Sequence, residues 1–418
     1  MLLGAIADDL TGATDIALAF AREGLRTVQI NGIPDDGAFE QNADAVVIAL
    51  KSRTIPASDA VSLSRRAVAW LRARDVQQVV FKYCSTFDST DAGNIGPVTE
   101  ALLEELGETI TIACPTFPEN GRTVFQGHLF VGDKLLSESS MRDHPLTPMT
   151  DANLVRVLQR QTALPVGILG AADVRAGQER VAARIREAAT QNVRVLIADA
   201  ATAEDLNAIG KACSDRMLVT GAAGIGGALA RNHAAAIQGE RRSAEFAWPQ
   251  GRTVVLAGSC SVATRDQVNH VIGLGYPATK IDPIAIASGT LDVASVAEWA
   301  EASEGWPPII YSSSDPADVL KAQEVLGRDE AGALVEDFLG ELAGILRSAG
   351  FSRFIVAGGE TSGAVSAALS VSALEIGPEI DPGVPWTRAA YAGGPALALK
   401  SGNFGAPDFF EKARRMCR

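Results

Sequence analysis

RFIVAGGETSGAVSAAL, residues 353–369, holds the pattern from which the fold can be deduced. An apolar run at 354–357 predicts a buried strand, two glycines end it, and an alanine-rich segment predicts a helix. A helix after a strand and a glycine-rich turn often binds phosphate, because its first turn offers free N–H donors and a positive dipole end. Glu360 would be repelled by a bare phosphate. We therefore expect it to face Mg²⁺, a magnesium-bound water or a ribose hydroxyl.

The same order of strand, turn and helix recurs along the chain. It is found in LLGAIADDLTGATDIALAFA (2–21), VVFKYCSTFDS (79–89), VRVLIADAATAEDL (193–206), MLVTGAAGIGGALA (217–230) and TVVLAGSCSVATRDQV (253–268). Such alternation predicts an α/β protein in which mostly parallel sheets are flanked by helices. Ligands of open α/β sheets bind outside the carboxyl ends of the strands, so each of these turns is a candidate site.

The chain length of 418 residues predicts two domains. A charged segment, AIQGERRSAEFAWPQG at 236–251, interrupts the periodic pattern and marks the boundary. We expect a first domain at 1–235, a linker at 236–250 and a second domain at 251–418. We also expect the active site to lie in the cleft between the two domains.

Composition narrows the class of protein. Hydrophobic residues make up 47% of the chain and charged residues 21%, as is usual for a soluble globular protein. No apolar run approaches the roughly 18 residues of a membrane span, and the N-terminus lacks the basic start of a signal peptide. Five scattered cysteines without a C-x-x-C pair predict reduced thiols in a cytoplasmic protein. Metal-ligand spacing is missing, so no protein-bound metal is assigned.

The net charge of −13 argues against a nucleic-acid partner, since nucleic-acid binding relies on a basic face. An anionic substrate would need a local group of cations in this repulsive field. Arg122 is one candidate, because it lies in a proline-containing excursion at 115–150 that breaks the regular pattern. Within that excursion, LFVGDKLL at 129–136 predicts a hairpin with a Gly-Asp turn.

The first domain carries the candidate catalytic residues. Asp8 and Asp9 follow the first predicted strand in IADDLTGATD. Neighbouring side chains of a strand point to opposite sides, so one of the two can face a cleft while the other caps the following helix. Lys82 and Arg53 also lie at predicted strands, where a cation must pair, reach solvent or hold an anionic ligand. Asp88 ends the turn after the strand of Lys82 and is either its partner or part of the substrate site.

The second domain has three glycine-rich turns, namely GSCS (258–261), GGETSG (358–363) and KSGNFG (400–405). Three such turns in one domain predict nucleotide phosphate binding, although none has the spacing of a Walker A motif. A fourth glycine-rich segment, GAAGIGG at 221–227, imitates a dinucleotide fingerprint. It ends the first domain without a following strand–helix–strand unit, so we interpret its glycines as close packing.

Several motifs together resemble the four-carbon acid sugar kinase family. They are IADDLTGATD, FKYCSTFDST, PTFPENGRTVFQGHLFVG, AGGETSGAV, GPEIDPGVPW and LKSGNFG, and the resemblance runs from Leu3 to Phe410. It implies an N-terminal acid-sugar domain, a C-terminal nucleotide domain, and ATP-dependent phosphorylation of the terminal hydroxyl of a four-carbon sugar acid. It also implies substrate contacts at the N-terminal Asp pair and around Lys82, with Mg²⁺ arriving together with ATP. The expected nucleotide contacts are Ser259, Gly358, Gly359, Glu360, Thr361, Ser362, Gly402 and Asn403.

Within this family the motifs are most similar to those of kinases that act on 3-oxo-tetronate at the C4 hydroxyl. Kinases for D-threonate or D-erythronate remain alternatives. A more remote alternative is an oxidoreductase that uses GAAGIGG, and another is a sugar-acid sensor without catalysis. The expected partners are a small sugar acid and ATP, with no nucleic acid and no membrane, and a homo-oligomer is left open.

Overall fold

The computed structural model describes residues 1–34, 43–143, 147–237, 246–312, 316–400, 402 and 404–417. The chain divides into two compact units, Met1–Ser243 and Ala244–Arg418. Each unit contains a sheet flanked by helices, which confirms the predicted α/β class. In the described part of the chain, no helix is both long and apolar enough to cross a membrane.

In the residues that the structure describes, the first unit has eleven strands, eight of which form its main parallel sheet. Its strands are β1 Leu3–Ala7, β2 Thr27–Asn31, β3 Ala45–Ala49, β4 Gln78–Lys82, β5 Thr111–Cys114, β6 Arg122–Phe125, β7 His128–Val131, β8 Lys134–Leu135, β9 Val166–Leu169, β10 Val195–Ala198 and β11 Leu218–Gly221. The main sheet has the order β2-β3-β1-β4-β11-β5-β10-β9, and every neighbouring pair is parallel. All five residues of β1, of β3 and of β4 are buried, as expected where helices cover both faces of a parallel sheet.

Helices connect these strands. They are α1 Leu10–Arg22, α2 Ala57–Arg72, α3 Ile95–Leu106, α4 Leu154–Gln159, α5 Ala171–Arg175, α6 Gln178–Thr190, α7 Ala203–Ala212 and α8 Ala223–Ala236. The glycines of GAAGIGG serve packing, as we interpreted them. A side chain at Gly226 would meet Ile16 of α1 at 2.8 Å, and one at Gly224 would meet the Thr116 carbonyl at 2.5 Å.

The excursion at 115–150 forms a small antiparallel sheet of its own, β6-β7-β8. The predicted Gly-Asp turn joins β7 to β8, and Gly132 has the positive φ of 62° that such a turn needs. Asp199, directly after β10, fixes the turn that joins β6 to β7. Its carboxylate accepts hydrogen bonds from the backbone N–H groups of Gln126 and Gly127, both at 2.8 Å.

The second unit has a mixed sheet. Its strands are β12 Arg252–Ala257, β13 Ala278–Lys280, β14 Ile309–Tyr311, β15 Phe351–Ala357, β16 Ala373–Asp381, β17 Val384–Ala389 and β18 Ala396–Lys400. The order is β13-β14-β12-β15-β18-β17-β16, parallel up to β18 and antiparallel over the last three strands. Its helices are α9 Val262–Gly273, α10 Pro283–Ala287, α11 Val293–Ala302, α12 Pro316–Leu326, α13 Arg328–Ser348, α14 Gly359–Ala368 and α15 Phe409–Met416.

Alternate residues of β12 enter two separate cores. Val254 and Leu256 pack on one face with residues of α11 and α13, whereas Val255 and Ala257 pack on the other with residues of α9 and α15. The segment that follows residue 245 belongs to the second of these cores. Its Trp248 ring packs edge-on against Trp386 of β17, with ring centroids 5.4 Å apart.

Strand order singles out one position in each sheet. The chain leaves β1 for β2 and β3 on one side and then returns to place β4 on the other side. The second unit repeats this arrangement with β12, then β13 and β14, then β15 on the opposite side. A position where successive connections leave to opposite sides of one strand is called a topological switch point. Ligands of open α/β sheets bind at switch points, outside the carboxyl ends of the strands. The expected sites are therefore the turns after β1 and β4 and those after β12 and β15.

Candidate active site

The two aspartates after β1 have different surroundings. Asp9 is the N-cap of α1, and its carboxylate accepts a hydrogen bond from the Gly12 N–H at 3.0 Å. Asp8 is only 6% exposed and does not cap the helix. Burial raises the pKa of the Asp8 carboxyl above its ordinary value, although the Arg53 guanidinium acts in the opposite direction. Asp8 is thus the buried member of the pair, and Asp9 is the capping one.

Arg53 follows β3 and joins the acidic side chains of this edge. Its guanidinium donates two hydrogen bonds to Asp8, at 2.9 and 2.8 Å, in the bidentate geometry typical of an arginine–carboxylate pair. The same group lies 2.8 Å from Asp9 and 3.9 Å from Asp88. Arg53 therefore compensates the charge of several carboxylates at the switch point of the first sheet.

Lys82 ends β4 and is almost fully buried, with 2% exposure. Its ammonium group donates to the Tyr83 carbonyl at 3.0 Å and lies over the first turn of α1, where a side chain at Gly12 would come within 2.6 Å of it. Asp15, one turn further along α1, is half-buried. Burial raises the pKa of Asp15 to about 6, and the charge of Lys82 lowers it in part.

Asp88 is held by a strained turn. Phe87, immediately before it, is fully buried and has a φ of 55°, in the left-handed region that residues other than glycine rarely adopt. The Phe87 ring packs edge-on against Tyr83, with ring centroids 5.3 Å apart, and this packing holds the backbone. Thr86 then donates to the Asp88 carboxylate at 2.5 Å. Such strain is often concentrated at functional sites.

Arg122 contacts its own loop. Its guanidinium donates to the Asn120 carbonyl, and its backbone pairs with Phe117 in an isolated bridge. Among the described residues, no hydrogen bond or ion pair joins Arg122 to the side chains at the ends of β1, β3 and β4. A substrate contact of Arg122 stays a prediction.

Asn94 also lies at this site, although no sequence motif marks it as a site residue. It precedes α3, is 6% exposed, and donates from one amide nitrogen to the carbonyls of Ser52, Arg53 and Ile55, at 2.7, 3.2 and 2.9 Å. It thereby fixes the loop that carries Arg53. A lone asparagine before a helix resembles any other cap, and its partners lie about forty residues away in the sequence.

The turns after β12 and β15 lie side by side in the second unit. The N–H groups of Gly258 and Ser259 both donate to the Ala357 carbonyl, at 3.0 and 3.1 Å. Helix α14 then begins at Gly359, after Gly358 with a φ of 132°, and no side chain caps it. The free N–H groups of an uncapped helix start can bind an anion.

Of the two hydroxyl side chains in this turn, one is buried and the other is already hydrogen-bonded. Thr361 is 3% exposed and fills the space beside Gly258 and Gly358, where no side chain would fit. The Ser362 hydroxyl donates to the Gly358 carbonyl at 2.7 Å. This geometry favours the backbone N–H groups, rather than these hydroxyls, as the donors to a phosphate.

Glu360 is exposed in the first turn of α14 and faces Glu336 on α13. Burial raises the pKa of Glu336, and the charge of Glu360 raises it further. Two carboxylates that repel each other beside the predicted phosphate-binding turn suit a cation or a hydroxyl group between them. No cluster of three or more metal-ligating side chains is found in the described residues.

A polar stripe on α9 holds the loop after β18. Ser261 and Thr264 donate to the Gly402 carbonyl, at 2.6 and 2.9 Å. Gln267, which is fully buried, donates to the carbonyls of residues 404, 405 and 406, at 3.0, 3.0 and 3.1 Å. Gly402 itself lies so close to the Ser259 hydroxyl that no side chain would fit. Asn403, the other predicted contact of this loop, lies outside the described residues.

Lys400 completes this arrangement from β18. Its ammonium group donates to Thr264 and to the Gly402 carbonyl, both at 3.0 Å, while its own carbonyl accepts from the Gly358 N–H. It is 1% exposed, and burial lowers the pKa of Lys400 to about 8. A buried cation therefore lies behind the predicted phosphate turn, which the sequence analysis did not identify.

Family models match both parts of the chain. Residues 3–229 match a model described as a sugar-binding N-terminal domain, and residues 254–410 match one described as a nucleotide-binding C-terminal domain. These matches correspond to the two units that carry the sites described above.

Relatives align with the chain over nearly its whole length. A 3-oxo-tetronate kinase of Pseudomonas fluorescens is 55% identical over 416 residues, 99% of this chain and 96% of the relative. A 3-oxo-tetronate kinase of Cupriavidus necator is 54% identical over 418 residues, with the same coverage of both chains. A solved structure of a Haemophilus influenzae protein is 42% identical and superposes with a TM-score of 0.90, covering 99% of this chain and 100% of that chain.

Proposed function

Because the chain belongs to the four-carbon acid sugar kinase family, we propose that it phosphorylates 3-oxo-tetronate on its C4 hydroxyl with ATP. The observation that carries this proposal is the chemistry at the two switch points. One has buried carboxylates and cations that suit a sugar acid, and the other has an uncapped helix that suits a phosphate. In the reaction, the O4–phosphorus bond forms, the bond between the γ-phosphorus and ADP breaks, and the O4 proton leaves.

Asp8 is the proposed acceptor or orienting group for the O4 proton. The raised pKa of Asp8 favours proton uptake, and its partner Arg53 compensates the negative charge of the carboxylate before the proton is taken up. Asp9 has its capping role in α1. Lys82 is the proposed contact for the carboxylate of the acid, since a buried ammonium group attracts an anion strongly.

The second unit is proposed to hold ATP. Backbone N–H groups at the start of α14 would bind phosphate oxygens, while Ser259 and Gly402 would border the same space. Glu360, with Glu336 beside it, offers the oxygen ligands that Mg²⁺ prefers and would hold the ion directly or through water. When bound, Mg²⁺ neutralises the phosphate charge. Transfer requires the acid and the γ-phosphate to meet, and their meeting in a cleft stays a prediction.

A substrate screen tests this function. ADP release with Mg-ATP should be fastest with 3-oxo-tetronate and much slower with D-threonate and D-erythronate. Faster release with either reduced acid would instead support the alternative kinase of the same family. No ADP release above the ATP background with any of these acids would contradict a sugar-acid kinase.

Two further measurements locate the ligands. Cys260 is exposed in the GSCS turn, whereas Cys84 and Cys417 are half-buried with pKa values raised by burial to about 11. Alkylation of Cys260 should therefore be slowed by ATP and unchanged by the acid.

Lys82→Met should raise KM for the acid roughly 10- to 150-fold, which corresponds to the loss of one charged contact, and leave KM for ATP nearly unchanged.

A further inference from the structure

A second polar pocket lies at the opposite edge of the second sheet, where β12 and β15 begin. Its volume is about 230 Å³. The pocket is lined by Gly251, Arg252, Thr253, Ser303, Gly305, Trp306, Pro307, Pro308, Arg353, Arg414 and Cys417. β12 has six residues, so the pocket lies roughly 20 Å from the phosphate turn at the carboxyl edge, at about 3.3 Å per residue. We call it the amino-edge pocket.

The charged residues that line the amino-edge pocket are positive in the described part of the chain. Three of these lining residues are arginines and none is acidic, in a chain with 50 acidic and 37 basic residues. No ion pair joins Arg252, Arg353 or Arg414 to a carboxylate in the described part of the chain. Three guanidinium groups around one space repel one another unless an anion compensates them.

Two of the three arginines donate to neutral carbonyl groups. Arg252 donates to the carbonyls of Ala300, Glu301 and Ser303, at 3.0, 2.8 and 2.7 Å. Arg353 donates to the Pro249 carbonyl at 3.1 Å. These contacts fix the guanidinium groups without removing their charge.

Arg414 has a buried hydrogen-bond donor for which the described residues provide no acceptor. Its guanidinium lies 4.4 Å from the centroid of the Trp306 ring, which is itself 37% exposed. Its guanidinium also interacts with the Tyr276 hydroxyl, whereas its Nε atom is buried and has no hydrogen-bond partner among the described residues. A buried donor without an acceptor is costly, and an anion in the pocket would supply one.

We propose that the amino-edge pocket is a second ligand site, distinct from the catalytic one, which binds a small anion through Arg353 and Arg414. The ligand is a phosphate or a carboxylate, since guanidinium groups recognise both by paired hydrogen bonds. Arg252 adds charge from the rim. The contact between Trp306 and Arg414 couples occupancy to a fluorescent side chain.

The test uses the full chain saturated with Mg-ADP, so that the nucleotide site is closed to phosphate. Inorganic phosphate and, separately, citrate are titrated by calorimetry and by tryptophan fluorescence. We expect a site at which binding is at least 10-fold weaker in Arg353→Leu and in Arg414→Leu, whereas citrate bound at Lys82 would be unaffected by either change. The fluorescence change should disappear in Trp306→Phe while the binding heat remains. Preference for phosphate or for citrate identifies the class of anion.

Arg415→Leu is the matched control, because Arg415 follows Arg414 in α15 but is exposed and paired with Glu411. It should bind the anion like the unmodified protein. Melting temperatures measured without anion report whether a variant is folded. The proposal is overturned if the unmodified protein binds neither anion under these conditions. Equal affinities of folded Arg353→Leu, Arg414→Leu and Arg415→Leu would overturn it as well.

Discussion

At the scale of the residue, Asp8 and Asp9 are neighbours that we expect to respond differently to the same change. Asp8→Asn removes the proposed proton acceptor and should lower kcat roughly 10²–10⁴-fold, the usual scale for a general base. Asp9→Asn should keep kcat within a few-fold, because asparagine caps a helix about as well as aspartate. Steady-state kinetics of the two variants make the comparison.

Asp9→Ala serves as the control for the capping role. It should reduce the free energy of unfolding by about 1 kcal/mol, since alanine cannot accept the Gly12 hydrogen bond. Near-normal kcat in Asp8→Asn would move the acceptor role to another carboxylate, with Asp88 the next candidate.

Asp15 predicts a pH dependence of stability. Its pKa is about 6 in the folded protein and about 3.9 in an unfolded chain, so folding free energy is lost as the pH rises from about 3.9 to about 6, and the loss is complete above pH 6. Asp15→Asn should therefore stabilise the protein by up to about 3 kcal/mol at pH 7.5, and the gain should vanish near pH 4. Denaturant unfolding at both pH values measures it. Asp59→Asn, at an exposed carboxylate of α2, should change little at either pH.

Sequence reasoning identified the charged residues of the candidate site in the first unit, but it did not identify Asn94, which fixes the loop that carries Arg53. The aspartate pair after β1 could be predicted, because two carboxylates behind a buried strand exceed the needs of one helix cap. That Asp9 would be the cap, and Asp8 the partner of Arg53, depends on how the turn bends. Asn94 could not be predicted, since its role depends on carbonyls from a distant loop.

At the scale of the element, α9 carries a buried stripe of polar side chains directed at the loop after β18. Gln267→Leu would leave three carbonyls without their donor. We expect KM for ATP to rise roughly 10-fold or more, because each net hydrogen bond contributes about 1 kcal/mol. KM for the acid should stay unchanged. Steady-state kinetics with each substrate varied in turn separates the two effects.

Asn269→Ala is the matched control, because this residue lies on the exposed side of the same helix. It should leave both KM values unchanged. If Gln267→Leu raises the two KM values equally, the stripe stabilises the whole unit and does not position the nucleotide site in particular.

Elements could be predicted where local periodicity decides them. The strand–turn–helix units follow from apolar runs and glycines, and the Gly-Asp turn at 132–133 follows from its dipeptide. The antiparallel pair β16 and β17 was not predicted from GPEIDPGVPW, which entered only as a family motif. The stripe on α9 was also missed, because the polar residues of SVATRDQV resemble those of any solvent-exposed helix face until the partner loop is known.

At the scale of the whole molecule, the second unit should bind nucleotide by itself. A fragment of residues 244–418 keeps Phe246 and Trp248, whose rings pack in its core, and should bind ADP in a calorimetric titration. A fragment that begins at residue 251 lacks both rings and should melt at a lower temperature. A folded 244–418 fragment without affinity for ADP or ATP would refute the assignment of the nucleotide site.

Because of the position of β11, the sheet of the first unit can be completed only after the last strand of that unit has been synthesised. β11 is the last strand of that unit to leave the ribosome, yet it lies between β4 and β5 and pairs with both. Until residue 221 has emerged, the nascent chain exposes two unpaired apolar edges, which favour aggregation. A chain that stops at residue 215 should be cleaved rapidly by protease, whereas one that stops at residue 237 should resist. Equal resistance would mean that the sheet forms without its central strand.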